Sequence, residues 1–283
     1  CRSSSAVNDG CGHAPGKVFT EEDWTALDGP AHVVTPYFKS KTLAERAAWE
    51  YVRGLPAGDA FELATIIPGF IQGPVLGGTS CASAEPVSRL LGREMPMVPD
   101  IWFPSVDVRD VARAHILAMT NPAAAGQRFL VVGGNLHLRT GMAAVLAREF
   151  DPQGYNVPLT SAPSFLIRLA ALFDGGLSTV TGMLGIKTEF DASKATRVLG
   201  LTYTPVETSV VDMAYSLVAG GRIADKTRGR ALTSAPRLFP INTTGIALPG
   251  VVFTGGVSVG AATHGAGAGA GVAAGGAGAP SSA

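Results

Sequence analysis

Between residues 37 and 74 one arrangement restricts the fold more than any other part of the chain. An amphipathic helix gives way to a short apolar run, and the run to a Pro/Gly loop. Leu43, Ala44, Ala47, Ala48 and Tyr51 recur at helical spacing over residues 37–52, and Gly54 with Pro56 ends the helix. Residues 61–67 (FELATII) are short, β-rich and almost wholly apolar, the pattern of a strand buried on both faces of a parallel sheet. PGFIQGP follows as a turn-rich loop at that strand's C-terminal end, where open α/β sheets place their ligands.

The rest of the chain repeats the alternation. Residues 1–36, rich in Ser, Gly, Pro and Asp, read as a loop, with Glu21, Glu22 and Asp23 suited to the first turn of a short helix. Asp107 is placed to cap a helix, with Asp110 three residues on as a variant capping box. Val108, Val111, Ala112, His115 and Met119 then line one helical face. RFLVVG (128–133) predicts a strand, and residues 140–150 and 164–173 predict helices. Residues 193–199 form a short helix closed by Gly200, and 206–218 a last amphipathic one. Buried strands alternating with helices define an α/β protein.

Composition separates the ends from the middle. The 283 residues carry no net charge and have a pI near 7.1, so nothing electrostatic favours nucleic acid or an anionic membrane. Charged residues make up 16% of the chain, below the ~25% of ordinary domains, and none follows Arg237. Beyond about Ala224 the pattern dissolves, and residues 261–280 are Ala/Gly low complexity, expected to be disordered. The boundary therefore falls between a folded part, 1–224, and a linker with tail, 225–283. Residues 244–262 are uncharged, yet Pro249, repeated Gly and the lack of an aromatic belt argue against a membrane anchor. The opening CRSSSAVNDG lacks the basic start and apolar run of a signal peptide. Cys1, Cys11 and Cys81 have neither metal nor disulfide spacing and read as free thiols of a cytoplasmic protein.

The sharpest chemical feature is Tyr37-Phe-Lys-Ser-Lys41. Positions i and i+4 share a helix face, so the phenol and the ammonium can point into one cleft. A free tyrosine, with a pKa of about 10, is a poor acid or base at neutral pH. A neighbouring ammonium favours the phenolate and pulls that value toward the working range. Such a pair suits proton transfer to a carbonyl oxygen while hydride moves at carbon. The helix–strand–loop order around it is that of a doubly wound dehydrogenase.

YFKSKTLAERAAWEYV resembles the catalytic helix of the extended short-chain dehydrogenases/reductases, the NAD-dependent epimerase/dehydratase superfamily. The resemblance lies in the branch with dihydroflavonol, cinnamoyl-CoA and related ketone or aldehyde reductases. VFTEEDWT (18–25), ELATIIPGFIQGP (62–74), VDVRDVARAHILAM (106–119) and FDASKATRVLGLTYTPVETSVVDM (190–213) resemble further family segments in family order, over about residues 1–222. The resemblance implies the C-terminal part of a Rossmann-like sheet with a small substrate lobe. It implies an NAD(P)-dependent carbonyl reductase, NADPH favoured, acting on a small-molecule ketone or aldehyde. Tyr37 would be the acid/base, and Lys41 would tune it and bind the nicotinamide ribose. Pro68 and the loop through Ile71 would face the nicotinamide carboxamide. The family's substrate-binding serine falls on Ser3 when counted back from Val7, with Ser4 and Ser5 as rivals.

The family's strand, Gly-rich turn and helix for the pyrophosphate have no counterpart before Tyr37. The chain accordingly reads as a fragment, inactive alone. Two other readings stay open: a sugar-nucleotide epimerase or dehydratase using the same Tyr/Lys pair, and a non-catalytic binding or scaffold remnant. Elsewhere Asp107 and Asp110 read as caps rather than an acid pair. His13, His32, His115, His137 and His264 show no metal spacing. Trp102 and Phe103 are candidates for a substrate-pocket wall.

Overall fold

The computed structural model describes residues 16–28, 34–76, 81–173 and 181–226. The chain divides into Cys1–Ile246 and Ala247–Ala283, and every described residue lies in the first unit. The expected disordered tail and the stretch weighed as an anchor lie outside the described residues. No helix among those described is long and apolar enough to cross a membrane.

The chain is α/β, as its alternation predicts. In chain order the elements are β1 (Val18–Phe19), α1 (Pro36–Arg53), β2 (Thr65–Pro68), β3 (Phe70–Gln72), α2 (Glu85–Leu91), β4 (Trp102–Asp107) and α3 (Val108–Thr120). They continue with β5 (Arg128–Val131), β6 (Gly134–His137), α4 (Ala144–Phe150), α5 (Ser164–Ala170), β7 (Glu189–Phe190), α6 (Ser193–Leu199) and α7 (Val206–Ala219). Parallel pairing joins β2 to β5, β3 to β4 and β1 to β7, while β4 and β6 run antiparallel.

The predicted loop PGFIQGP is in part a strand. Gly69 makes that possible: its N–H donates to the Val131 carbonyl at 3.1 Å, after which the chain leaves β5 and pairs with β4 as β3. A Cβ at Gly69 would lie 2.1 Å from the Pro104 carbonyl oxygen, so only glycine lets the two backbones approach this closely.

Helix α1 starts where sequence places it. Thr35 accepts the Phe38 N–H, Pro36 occupies the first turn, and the Gly54 N–H closes on Glu50. Its buried residues are polar, Thr42 and Glu45, while Leu43 and Tyr51 of the apolar repeat are 52% and 65% exposed. The acidic run at 21–23 forms a turn rather than a helix. Glu21 is buried there because its carboxylate accepts the Leu130 N–H at 2.9 Å, and Asp23 takes the Thr20 N–H. Met119, expected on the packed face of α3, is 78% exposed, whereas Val111 and Ala114 are buried.

Two clusters hold these layers together. One packs α2, α4 and α7 on the antiparallel β4–β6 pair through Leu90, Leu136, Met142, Phe150, Val210 and Tyr215. The other packs α3 and α6 on β2 and β5 through Ile66, Val111, Phe129, Leu199 and Leu201. The helix predicted over 140–150 begins instead as a π-helical turn at Leu138–Ala143, capped by His137, and becomes regular only in α4.

Candidate active site

Tyr37 and Lys41 sit one turn apart near the N-terminal end of α1, and the Lys41 ammonium lies 5.5 Å from the centre of the Tyr37 ring. Tyr37 is 54% exposed, so its phenol opens outward from the described residues. What fixes this helix end is farther along it. Glu45, one turn beyond Lys41, is fully buried against Arg128 of β5 and Thr65 of β2. Burial alone would raise the Glu45 pKa; the hydrogen bonds and charge of Arg128, with those of Thr65 and Trp49, outweigh it and hold the carboxyl below its usual range.

The other assigned residues fall on the strands beside α1. Pro68 is the buried last residue of β2, paired with Val131. Ile71 lies in β3 opposite Val106 and forms part of a cavity of about 460 Å3. The cavity opens between the loop after β3 (Gln72 to Leu76, with Cys81 and Ser83), the first turns of α3 (Val108, Arg109, Ala112) and Met213 of α7. Neither Tyr37 nor Lys41 lines it. Ser3, with its rivals Ser4 and Ser5, lies outside the described residues.

Asp107 caps α3 as its sequence predicts, accepting the Arg109 N–H at 2.8 Å. Burial would raise its pKa, and hydrogen bonds from Arg109 and Ser209 with the Arg109 charge bring it below the usual range. Asp110 does not close a capping box. It is drawn sideways to the segment entering α7, accepting the Thr204 N–H at 2.7 Å and hydroxyl at 3.0 Å, and it pairs with Arg113.

Trp102 and Phe103 line no described cavity beside Ile71. Trp102 packs on the His137 ring at 4.7 Å and Phe103 stacks on Phe70 at 4.4 Å. His115 turns its Nδ1 to the Val111 carbonyl at 2.8 Å, and no group of three or more metal ligands exists among the described residues. Cys81 is a free, exposed thiol, while Cys1, Cys11, His13, His32 and His264 lie outside the described residues.

Sequence reasoning passed over Gln72, Arg109 and Met213. The Gln72 side chain is 99% buried, and its Oε1 meets no hydrogen-bond donor among the described residues. A glutamine inside an otherwise apolar PGFI run was the available signal.

These features define a Rossmann-like α/β domain, and comparison with known proteins agrees on that fold. No family model matches the chain. Over 153 residues it is 35% identical to cinnamoyl-CoA reductase 1 of Oryza sativa subsp. japonica, covering 53% of the chain and 43% of that protein. Ketoreductase azaE of Aspergillus niger is 30% identical over 194 residues, 64% of the chain and 50% of its own length. The solved structure of yeast methylglyoxal/isovaleraldehyde reductase Gre2 complexed with NADPH superposes with a TM-score of 0.60 at 25% identity, covering 78% of this chain and 64% of that one. The chain is similar to these reductases, a likeness consistent with the extended short-chain dehydrogenase/reductase superfamily that its sequence resembles. It spans about a third to a half of the length of the curated relatives it matches.

Proposed function

We propose that this chain is the catalytic-helix and substrate-lobe portion of a cytoplasmic NADPH-dependent reductase of ketones or aldehydes. The observation that carries the proposal is the Tyr37–Lys41 pair on α1, held one turn from a buried Glu45–Arg128 anchor and followed directly by β2 and its Pro68 terminus.

The described residues suit one end of a dinucleotide. Pro68 ends β2 and Ile71 lines the cavity, both at the C-terminal end of a parallel strand, where such sheets place their ligands. None of the described strand–helix connections is a Gly-rich turn opening a helix, so the pyrophosphate has no such seat among them. The cofactor, when bound, supplies hydride. This chain's own part is the proton. Tyr37 gives its phenolic proton to the carbonyl oxygen as that oxygen gains charge, and the Lys41 ammonium stabilises the phenolate left behind. Relatives named cinnamoyl-CoA reductase, ketoreductase and NADPH-dependent methylglyoxal reductase support carbonyl reduction with NADPH.

The test uses the protein extended at its N-terminus to the length of its relatives. NADPH oxidation is followed with a panel of aromatic and aliphatic ketones and aldehydes. Tyr37→Phe is expected to lower kcat by about 10²–10⁴ while NADPH binding persists, because the ring still packs and only the proton donor is lost. Lys41→Met is expected to weaken both. Undiminished turnover in the Tyr37→Phe protein would overturn the assignment.

A further inference from the structure

We propose that the cavity between the loop after β3, α3 and α7 seats the uncharged, largely apolar body of the substrate and turns away anionic molecules such as nucleoside diphosphates. Naming the occupant a substrate rests on the reductase reading above; the site and its selectivity do not.

Most of the wall is hydrocarbon: Ile71, Pro74, Val75, Leu76, Val108 and Met213. Its volume of about 460 Å3 lies in the range of small-molecule sites. Arg109 is the cation among the lining residues, and its charge is already matched. Its guanidinium reaches Asp107 through Nε at 2.8 Å and Nη2 at 2.7 Å, and Nη2 also lies 2.8 Å from Asp212. Asp107 has no exposed side-chain surface and Asp212 keeps 14%, so neither carboxylate is easily drawn away. The paired carboxylates hold the Arg109 guanidinium firmly protonated. An entering phosphate or carboxylate would give up its water for an apolar wall and meet an arginine flanked by two carboxylates. An entering cation would meet the guanidinium itself. An uncharged molecule pays neither penalty and gains from the apolar surface it covers.

The test compares two ligands of nearly one shape, acetophenone and 4-acetylbenzoate, titrated into the full chain and followed by saturation-transfer NMR without cofactor. Acetophenone is expected to bind saturably, and 4-acetylbenzoate at least about tenfold more weakly. Ala112→Trp, which fills the cavity from α3, is expected to abolish acetophenone binding. Asp212→Asn frees Arg109 from one of its two carboxylates and is expected to strengthen 4-acetylbenzoate binding while leaving acetophenone unchanged. Equal binding of the two ligands by the unaltered chain would overturn the proposal, as would acetophenone binding that survives in folded Ala112→Trp protein. Should Ala112→Trp fail to fold, an unchanged ligand preference in Asp212→Asn overturns it instead. Loss of the reductase reading would show separately, as absent turnover in the extended protein with this binding preference intact.

Discussion

Arg128 of β5 grips Glu45 of α1 with both arms of its guanidinium, Nε 2.8 Å from Oε1 and Nη2 3.1 Å from Oε2. Thr65, the register partner of Arg128 on β2, donates to the same carboxylate at 2.9 Å, so one side chain straddles two parallel strands. The far face of the guanidinium lies 3.7 Å from the Trp24 ring, and Nη1 reaches the carbonyls of Glu21 and Asp23. The helix that carries Tyr37 and Lys41 is thereby fixed to the sheet by a buried, two-pronged charge pair rather than by its apolar stripe.

Breaking that pair is expected to be costly. Arg128→Met leaves a buried carboxylate with Thr65 and Trp49 as its remaining donors, and such a loss destabilises by about 3–5 kcal/mol. For a folded part of this size each kcal/mol lowers Tm by about 2–4 °C. A melt followed by circular dichroism should therefore fall by roughly 6–20 °C on that scale. A shift under 2 °C would mean that α1 is held by other contacts.

Acid should loosen the same region. Folding depresses the pKa of Glu45 from 4.5 and of Asp107 from 3.8, so each binds fewer protons folded than unfolded. Their contribution to stability is complete above those unfolded values and is lost as pH falls through the lower, folded ones. Urea midpoints measured between pH 7 and pH 3 should stay level, then drop below about pH 4.5. Glu45→Gln should flatten the first part of the drop. A midpoint that rises toward pH 3 would contradict the sign.

What sequence reveals here is what is decided locally. Gly54 ends α1, Asp107 caps α3, and Gly200 closes α6 in a left-handed conformation with φ of 68°, all within a few residues of chain. Strand β4 hides behind Pro104, since a proline inside an apolar run argues against a strand until its partners are known. Strands β1 and β7 are two residues each, too short for any alternation to register. Glu45 looks solvent-facing in a helix of its composition, because its partner Arg128 lies 83 residues away. The Tyr37–Lys41 spacing is legible in one helix, but the cavity beside Ile71 is assembled from β3, α3 and α7 and has no local signature.

Gly69→Ala is expected to be more damaging than its size suggests. The new methyl would stand 2.1 Å from a backbone oxygen, at the point where β2 passes into β3, and no rotamer change can relieve a backbone clash. Overpacking of this kind costs about 1–3 kcal/mol or more, and here it also displaces Ile71 and Pro68. Gly58→Ala, where nothing lies within 4 Å of the added carbon, is the control and should melt within about a degree of the unaltered chain. Equal melting of the two variants would show that β3 can separate from β4 at little cost.

The last expectation concerns Asp110, whose carboxylate ties the first turn of α3 to the entry of α7. It is fully buried and serves the Thr204 N–H, the Thr204 hydroxyl and Arg113, while Arg113 also donates to the Thr202 carbonyl at 3.0 Å. Asp110→Ala strands the Thr204 amide N–H, a loss of about 1–3 kcal/mol, while Arg113, whose side chain is 40% exposed, turns to water. Asp110→Asn keeps the volume and one acceptor oxygen but turns an NH2 group toward donors, so it should recover only part of that loss. Hydrogen exchange gives the distinguishing readout. If Asp110 is the clamp, the Thr204 amide should lose protection in both variants, most in Asp110→Ala, while amides in the middle of α7 keep theirs until global unfolding. Protection at Thr204 that matches the unaltered chain would show that the packing of Val206 and Val210 alone seats α7, and that the buried carboxylate is dispensable for it.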